Sequence, residues 1–182
     1  TSVVVAGTIF RLIFGEMDTA LANRVIEFFG HSPIKWLMSR DWVMVTVTIM
    51  AIWGGLGNYM LYFTTGMNGL SEDVYESAKI DGANGVQTFF RITLPMLSPV
   101  LKVVLMLAIT SAFKDYEAIM VLSKGGPGNR SMVMFLYIYN LIFGSTDSTS
   151  QAQIGYGALL SIMAALIVGT VTIIYNIVAK KL

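Results

Sequence analysis

The sequence predicts an all-α, polytopic membrane helix bundle, and three observations predict it. Of its 182 residues, 55% are hydrophobic and only 13% are charged, with a mean hydropathy of +0.68, a composition that suits hydrocarbon better than water. Uncharged apolar runs recur at the length a bilayer demands. Between them lie short polar segments with helix caps and turn residues.

The elements follow in chain order. Thr1 to Phe10 is apolar but too short before Arg11 to cross unaided, since a span takes about 20 residues. It reads as the tail of a helix that begins earlier; a secretory signal would need a charged leader before it and a small-residue cleavage site after it. From Gly15 to Asp41, Leu21, Val25, Phe28 and Phe29 fall at helical spacing, with Trp36 and Leu37 after Pro33, which suits an amphipathic element at the membrane surface. Val43 to Phe63 is the first full span, bracketed by Asp41 and Glu72. A second begins after Pro95 and Pro99 and runs through Val103 to Phe113 and on to about Val121, with Lys102 snorkelling near its start. Ser131 to Gly144 reaches only about 21 Å as a helix, so it is expected to tuck against the bundle without crossing. The polar loop Ser145 to Gln153 leads to the third span, Ile154 to Val178, with Tyr156 and Tyr175 placed as interface anchors.

Several function classes are poorly supported. A net charge of +1 supplies no basic field for nucleic acid. There is no cysteine for thiolate chemistry or disulfides, and the single His31 lacks the neighbours of a zinc site, so no metal or cofactor is expected. Gly125 to Gly128 is a turn and not a phosphate cradle, because a P-loop needs Gly-Lys followed by Ser or Thr and the chain has no Gly-Lys dipeptide. No nucleophile or paired-carboxylate constellation points to an enzyme. An ion-coupled carrier would need an ionisable group at mid-membrane and usually a repeat, and a channel a filter signature.

The polar segment from Ser71 to Pro95 carries the most information. Ser71 is a suitable N-cap, Glu72 and Asp73 favour the positive end of a helix dipole, and Gly82 offers a stop, predicting a short helix over Glu72 to Asp81. Ser77, Ala78 and Ala83 give it a small face that another protein can approach closely, while Tyr75, Glu76 and Asp81 supply an anchor and charges. A second short helix from about Val86 to Ile92 is expected to set Phe89 and Ile92 against the first, and Leu94-Pro95 to begin the next span.

Glu76-Ser77-Ala78-Lys79-Ile80-Asp81-Gly82-Ala83, then Phe89, Ile92, Leu94 and Pro95, resembles the EAA loop of permease subunits of binding-protein-dependent ABC importers. That pattern runs E-A-A-x-x-D-G-A, five free positions, then F-x-x-I-x-L-P; Ser77 replaces an alanine of similar size. The resemblance implies a paired-helix coupling element, about 71–95, that sits in a groove on a cytoplasmic ATPase. It implies as partners a second permease subunit, cytoplasmic ATP-binding subunits and an extracytoplasmic solute-binding protein, in a bacterial cell membrane. Members of the family usually carry further helices before this point, so 1–182 reads as a single transmembrane domain, the C-terminal part of a typical subunit.

Phe113-Lys114-Asp115-Tyr116-Glu117 and Val121-Leu122-Ser123-Lys124-Gly125-Gly126-Pro127 resemble the F-x-x-F-D-x-x-x-x-L-T-x-G-G-P stretch of carbohydrate-importer permeases, with Tyr116, Glu117 and Ser123 departing from it. Gly155-Tyr156-Gly157-Ala158 resembles the G-Y-A-A that opens the last helix. Both imply the maltose-type carbohydrate uptake family; a permease for a non-sugar solute or an ion-coupled carrier is the alternative. Trp53, Asn58 and Tyr59 in the first span offer the aromatic faces and amide a sugar site uses, and Phe113 and Tyr116 join them as pathway candidates. Gly54, Gly55 and Gly57 allow that helix to kink or pack closely. Lys114, Asp115 and Glu117 are expected near the outer interface, because each at mid-bilayer would cost roughly 2.5 to 3.5 kcal/mol. Charge does not set the orientation. Lys79, Arg91, Lys102, Lys180 and Lys181 would be cytoplasmic and Arg11, Arg24, Lys35, Arg40, Lys114, Lys124 and Arg130 outside, five against seven. The cytoplasmic placing of the coupling loop rests on the resemblance.

Overall fold

The computed structural model describes residues 2–17, 19–144 and 152–180. Among them there are helices and connectors and no strand. In order these are α1 (Val3–Ile13), α2 (Leu21–Phe28), α3 (Val43–Asn68), α4 (Glu72–Ile80), α5 (Gly85–Thr88), a π-helical turn (Phe89–Thr93), α6 (Leu94–Met96), α7 (Ser98–Lys114), α8 (Glu117–Leu122), α9 (Met134–Phe143) and α10 (Ile154–Ala179). Most of the expected loop Ser145 to Gln153, and Lys181 of the terminal lysine pair, lie outside the described residues.

α3 and α10, each 26 residues, are long and apolar enough to cross a bilayer, reaching about 39 Å at 1.5 Å per residue. The second of the expected spans differs from expectation in two respects. It stops at Lys114 instead of continuing to Val121, because Asp115 and Tyr116 interrupt the helix before α8 begins. Nor does it begin at Leu94: Gly85–Met96 and Ser98–Lys114 meet at a 67° bend. Pro99 has no N–H to give the carbonyl of Pro95, and its ring crowds that position, so an unbroken helix through Leu97 is unavailable. A third crossing is reached if this bent pair counts as one span. α9 is 10 residues long, about 15 Å, and is a short apolar helix as expected.

The chain divides into two compact units. One comprises Thr1–Gly54 and Ser111–Val171, the other Gly55–Thr110 and Thr172–Leu182. The core of the first is Ala6 and Phe10 of α1, Val47 and Met50 of α3, Ala118, Ile119 and Leu122 of α8, and Leu136 of α9. α1 reaches α8 because Gly7 leaves room: a Cβ there would overlap Val121 Cγ1. Gly125 and Gly128 turn the chain after α8 at φ +88° and +55°. Ser131 closes this turn, its hydroxyl donating to Gly126 O at 2.6 Å and pairing with Ser123 Oγ at 2.7 Å. The glycine cluster is thus a turn, as its sequence implied.

In the second unit, a Cβ on Gly66 would lie 2.7 Å from Val100 Cγ2 and 3.1 Å from Leu97 Cδ2, so α3 and the start of α7 are in close contact there. Tyr175 donates its hydroxyl to Lys102 O at 2.6 Å and ties the end of α10 to α7.

Gly7→Leu should overpack the α1–α8 contact at a cost of about 1 to 3 kcal/mol, lowering Tm by roughly 2 to 4 °C per kcal/mol. Gly54→Ala, where nothing lies within 4 Å of the added carbon, should not lower Tm, since alanine favours a helix interior over glycine. Thermal unfolding of the purified protein in detergent reads both.

Candidate coupling loop

The loop between α3 and α7 is built from two capped helices with little slack between them. Ser71 sits at φ −67°, ψ 134° and its hydroxyl accepts from Asp73 N at 3.3 Å, starting α4. Glu72 and Asp73 occupy the positive end of the dipole and Lys79 the negative end. The helix ends where Gly82, at φ +75°, reverses the chain. Gly82 N donates to Lys79 O at 3.1 Å and Ala83 N to Ala78 O at 2.9 Å, the paired bonds of a Schellman motif. Asn84 then caps α5. Its side chain accepts from Gln87 N at 2.9 Å while Gln87 Oε1 accepts from Asn84 N at 3.0 Å, a reciprocal capping box. Ala83 alone separates the end of one motif from the start of the next.

Tyr75 holds the two helices together, with its hydroxyl 3.2 Å from the Thr93 hydroxyl. The expectation that Phe89 would pack on α4 is not met. Phe89 is 47% exposed and stands edge-on to Phe90 at 5.1 Å, whereas Thr93 is buried. The extra residue per turn in Phe89–Thr93 rotates the later side chains relative to a regular α-helix, so Thr93 faces Tyr75. Ile92 is half-buried, and Leu94 and Pro95 are exposed.

The expected small face also changes. Ala78 is buried, so only Ser77 of the expected trio is fully exposed; Ala83 is half-buried. What α4 presents outward is Glu76, Ser77, Asp81, Gly82 and Ile80, which is 86% exposed. Val86 in α5 at 69% and Phe90 in the π-helical turn at 61% are exposed apolar residues as well. Sequence reading missed Ile80. A helical projection would have found it, because Val74, Tyr75 and Ala78 share the inward face and Ile80 lies away from it.

The pathway candidates separate into the two units. Asn58 lines a cavity of about 670 Å³ between α3 and α7, together with Tyr62, Thr65, Pro99, Val103 and Val104. Tyr59 is absent from that lining; its ring lies over Gly55, with Cε2 2.8 Å from where a Cβ would be. Tyr62 and Thr65 were not singled out in the sequence, although i+4 and i+7 from Asn58 put them on its face. In the other unit Trp53 packs on Phe10 at 5.5 Å and Tyr116 on Tyr139 at 5.6 Å, while Phe113 is half-buried. Asp115 lies beyond the end of α7, where burial, and then the neighbouring Glu117 carboxylate, push its carboxyl above the ordinary range. Among the described residues no group of His, Asp or Glu side chains could hold a metal ion.

The profile of one family, the binding-protein-dependent transport system inner membrane component, matches residues 2–182. The chain belongs to that family. It is 37% identical over 175 residues to the arabinooligosaccharides transport system permease protein AraP of Bacillus subtilis (strain 168), covering 96% of this chain and 54% of the relative. With the trehalose/maltose transport system permease protein MalF of Thermococcus litoralis it shares 32% identity over 155 residues, 85% of this chain and 50% of the relative. The fold matches that in the crystal structure of a bacterial ABC transporter that imports the acidic polysaccharide alginate, with a TM-score of 0.84 at 22% identity, over 100% of this chain and 61% of that one. The chain therefore spans about half the length of the curated relatives it matches.

Gly82→Leu should strain the α4 terminus first, since a left-handed residue with a Cβ costs about 1 to 2 kcal/mol. Amide exchange at Ala83 should then quicken by about fivefold to thirtyfold. Gly82→Asn, which tolerates that conformation, should retain most of the protection.

Proposed function

We propose that this chain is part of the membrane-spanning subunit of an ATP-driven importer for a sugar or oligosaccharide, and that residues 1–182 form one transmembrane domain of it. The relatives' names support the cargo class: three of those matched are permease proteins for arabinooligosaccharides, sulfoquinovosyl glycerol and trehalose/maltose. The observation that carries the coupling role is the doubly capped α4–α5 unit, which holds exposed Ile80, Val86 and Phe90 beside Glu76 and Asp81.

In this reading Tyr75, Glu76, Ser77, Ala78, Asp81, Gly82, Ala83, Phe89, Ile92, Leu94 and Pro95 make up the coupling element. Their roles differ. Tyr75, Ala78, Gly82 and Ala83 shape it from within, and Glu76, Ser77, Asp81 and Phe89 meet a cytoplasmic ATP-binding subunit together with Ile80. That subunit hydrolyses ATP; this chain does not. Closure of two ATP-binding subunits moves the loop, and the Gly66 contact with Val100 and Leu97 passes the movement to α3 and α7. A second permease subunit completes the pathway, to which Trp53, Asn58, Tyr59, Phe113 and Tyr116 contribute. A solute-binding protein delivers cargo from outside; the alginate importer has been seen with its alginate pentasaccharide-bound periplasmic protein. The location is the bacterial cell membrane, crossed several times.

Ile80→Asp should remove about 1.5 to 3 kcal/mol of apolar burial at the contact, weakening docking tenfold or more. Asp81→Lys reverses a charge there. Both variants should insert and fold, since the loop lies outside hydrocarbon, yet lose substrate-stimulated ATP hydrolysis and uptake together. Wild-type uptake and co-purification with the ATP-binding subunit for both would sink the assignment. ATP-depleted vesicles should take up no cargo, whereas an ion-coupled carrier would continue.

A further inference from the structure

α2 is built inside out. Asn23 is fully buried, its Oδ1 accepting from Trp36 Nε1 at 2.8 Å and from Ile34 N at 3.0 Å. The apolar residues of the same helix face away: Leu21 is 61% exposed, Val25 58% and Phe28 85%, and Phe29 just beyond it 69%. On a projection at 100° per residue these four fall within about 100°, and Asn23 lies on the opposite side. Arg24 and Glu27 are exposed and fall between the two arcs.

A water-facing helix has the reverse arrangement, with the polar side out. A helix lying in the plane of a membrane has this one, its apolar arc among the acyl chains and its charges at the headgroups. The preceding helix and the connector to α2 also expose apolar side chains, Leu12 at 73% and Met17 at 74%. The lock on Asn23 ties α2 to the start of the first span, because Trp36 stands edge-on to Trp42 at 5.2 Å, immediately before α3. We infer that α2 is seated on a lipid surface, in the interface at the N-terminal end of α3, with Val25 and Phe28 in the acyl chains. This rests on α3 being a span and not on the cargo or the ATPase contact.

The chain has no cysteine, so single nitroxide labels at Val25→Cys, Phe28→Cys and Glu27→Cys report cleanly. The full-length subunit, with any cysteine outside these residues replaced, is assembled with cysteine-free partners in nanodiscs of phosphatidylcholine and phosphatidylglycerol and probed with oxygen and a water-soluble nickel chelate. Labels at 25 and 28 should collide several-fold more with oxygen than with nickel, and the label at 27 should show the opposite preference. Nickel access at 25 and 28 would place the face in water, and closure to both reagents would place it under protein; either result overturns the inference.

Discussion

Hydrocarbon offers a backbone amide no hydrogen-bond partner, and this constraint shapes the chain. α3 and α10 are unbroken ladders of 26 residues each, long and apolar enough to cross. Where the ladder must stop, the ends are satisfied by other groups: Ser71 at the start of α4, the Gly82 Schellman bonds at its end, and the Asn84–Gln87 box at the start of α5. The polar loop is therefore rigid. Its bonds are local and already made, so little ordering remains to oppose association when another protein docks on it.

One proline and one glycine set how that loop joins the helices on either side of it. Pro99 forces the 67° bend that separates the loop's second helix from α7. Gly66 then lets α3 touch the first residues of α7 at van der Waals range. The α4–α5 unit thus adjoins the facing ends of two helices, beside the cavity that Asn58, Tyr62 and Thr65 line.

Elements fixed by length and by local chemistry were legible in the sequence. α3, α10, the short α9 and both ends of α4 follow from apolar run length, the Ser71 cap and the glycine at position 82. Features that depend on how faces meet were not. The helix expected to reach Val121 breaks at Asp115, although Lys114, Asp115 and Glu117 together marked the place. Ala78 looked like an outward small residue and is inward, because α4 turns Val74, Tyr75 and Ala78 toward its own partner and leaves Ile80 outside. The Tyr75–Thr93 bond depends on a π-helical turn that no propensity announces. Nothing in the sequence marks Asn23, and only the fold shows it accepting from Trp36.

In the proposed assembly the outward side of α4 is the contact with an ATP-binding subunit. Ile80→Cys in the otherwise cysteine-free chain, assembled with the ATP-binding subunit carrying single cysteines along its groove, tests it by disulfide crosslinking. The account predicts a crosslink from position 80 whose yield changes with bound nucleotide, and none from Arg130→Cys in the turn after α8. No crosslink from position 80 to any groove position, or an equal one from position 130, would contradict it.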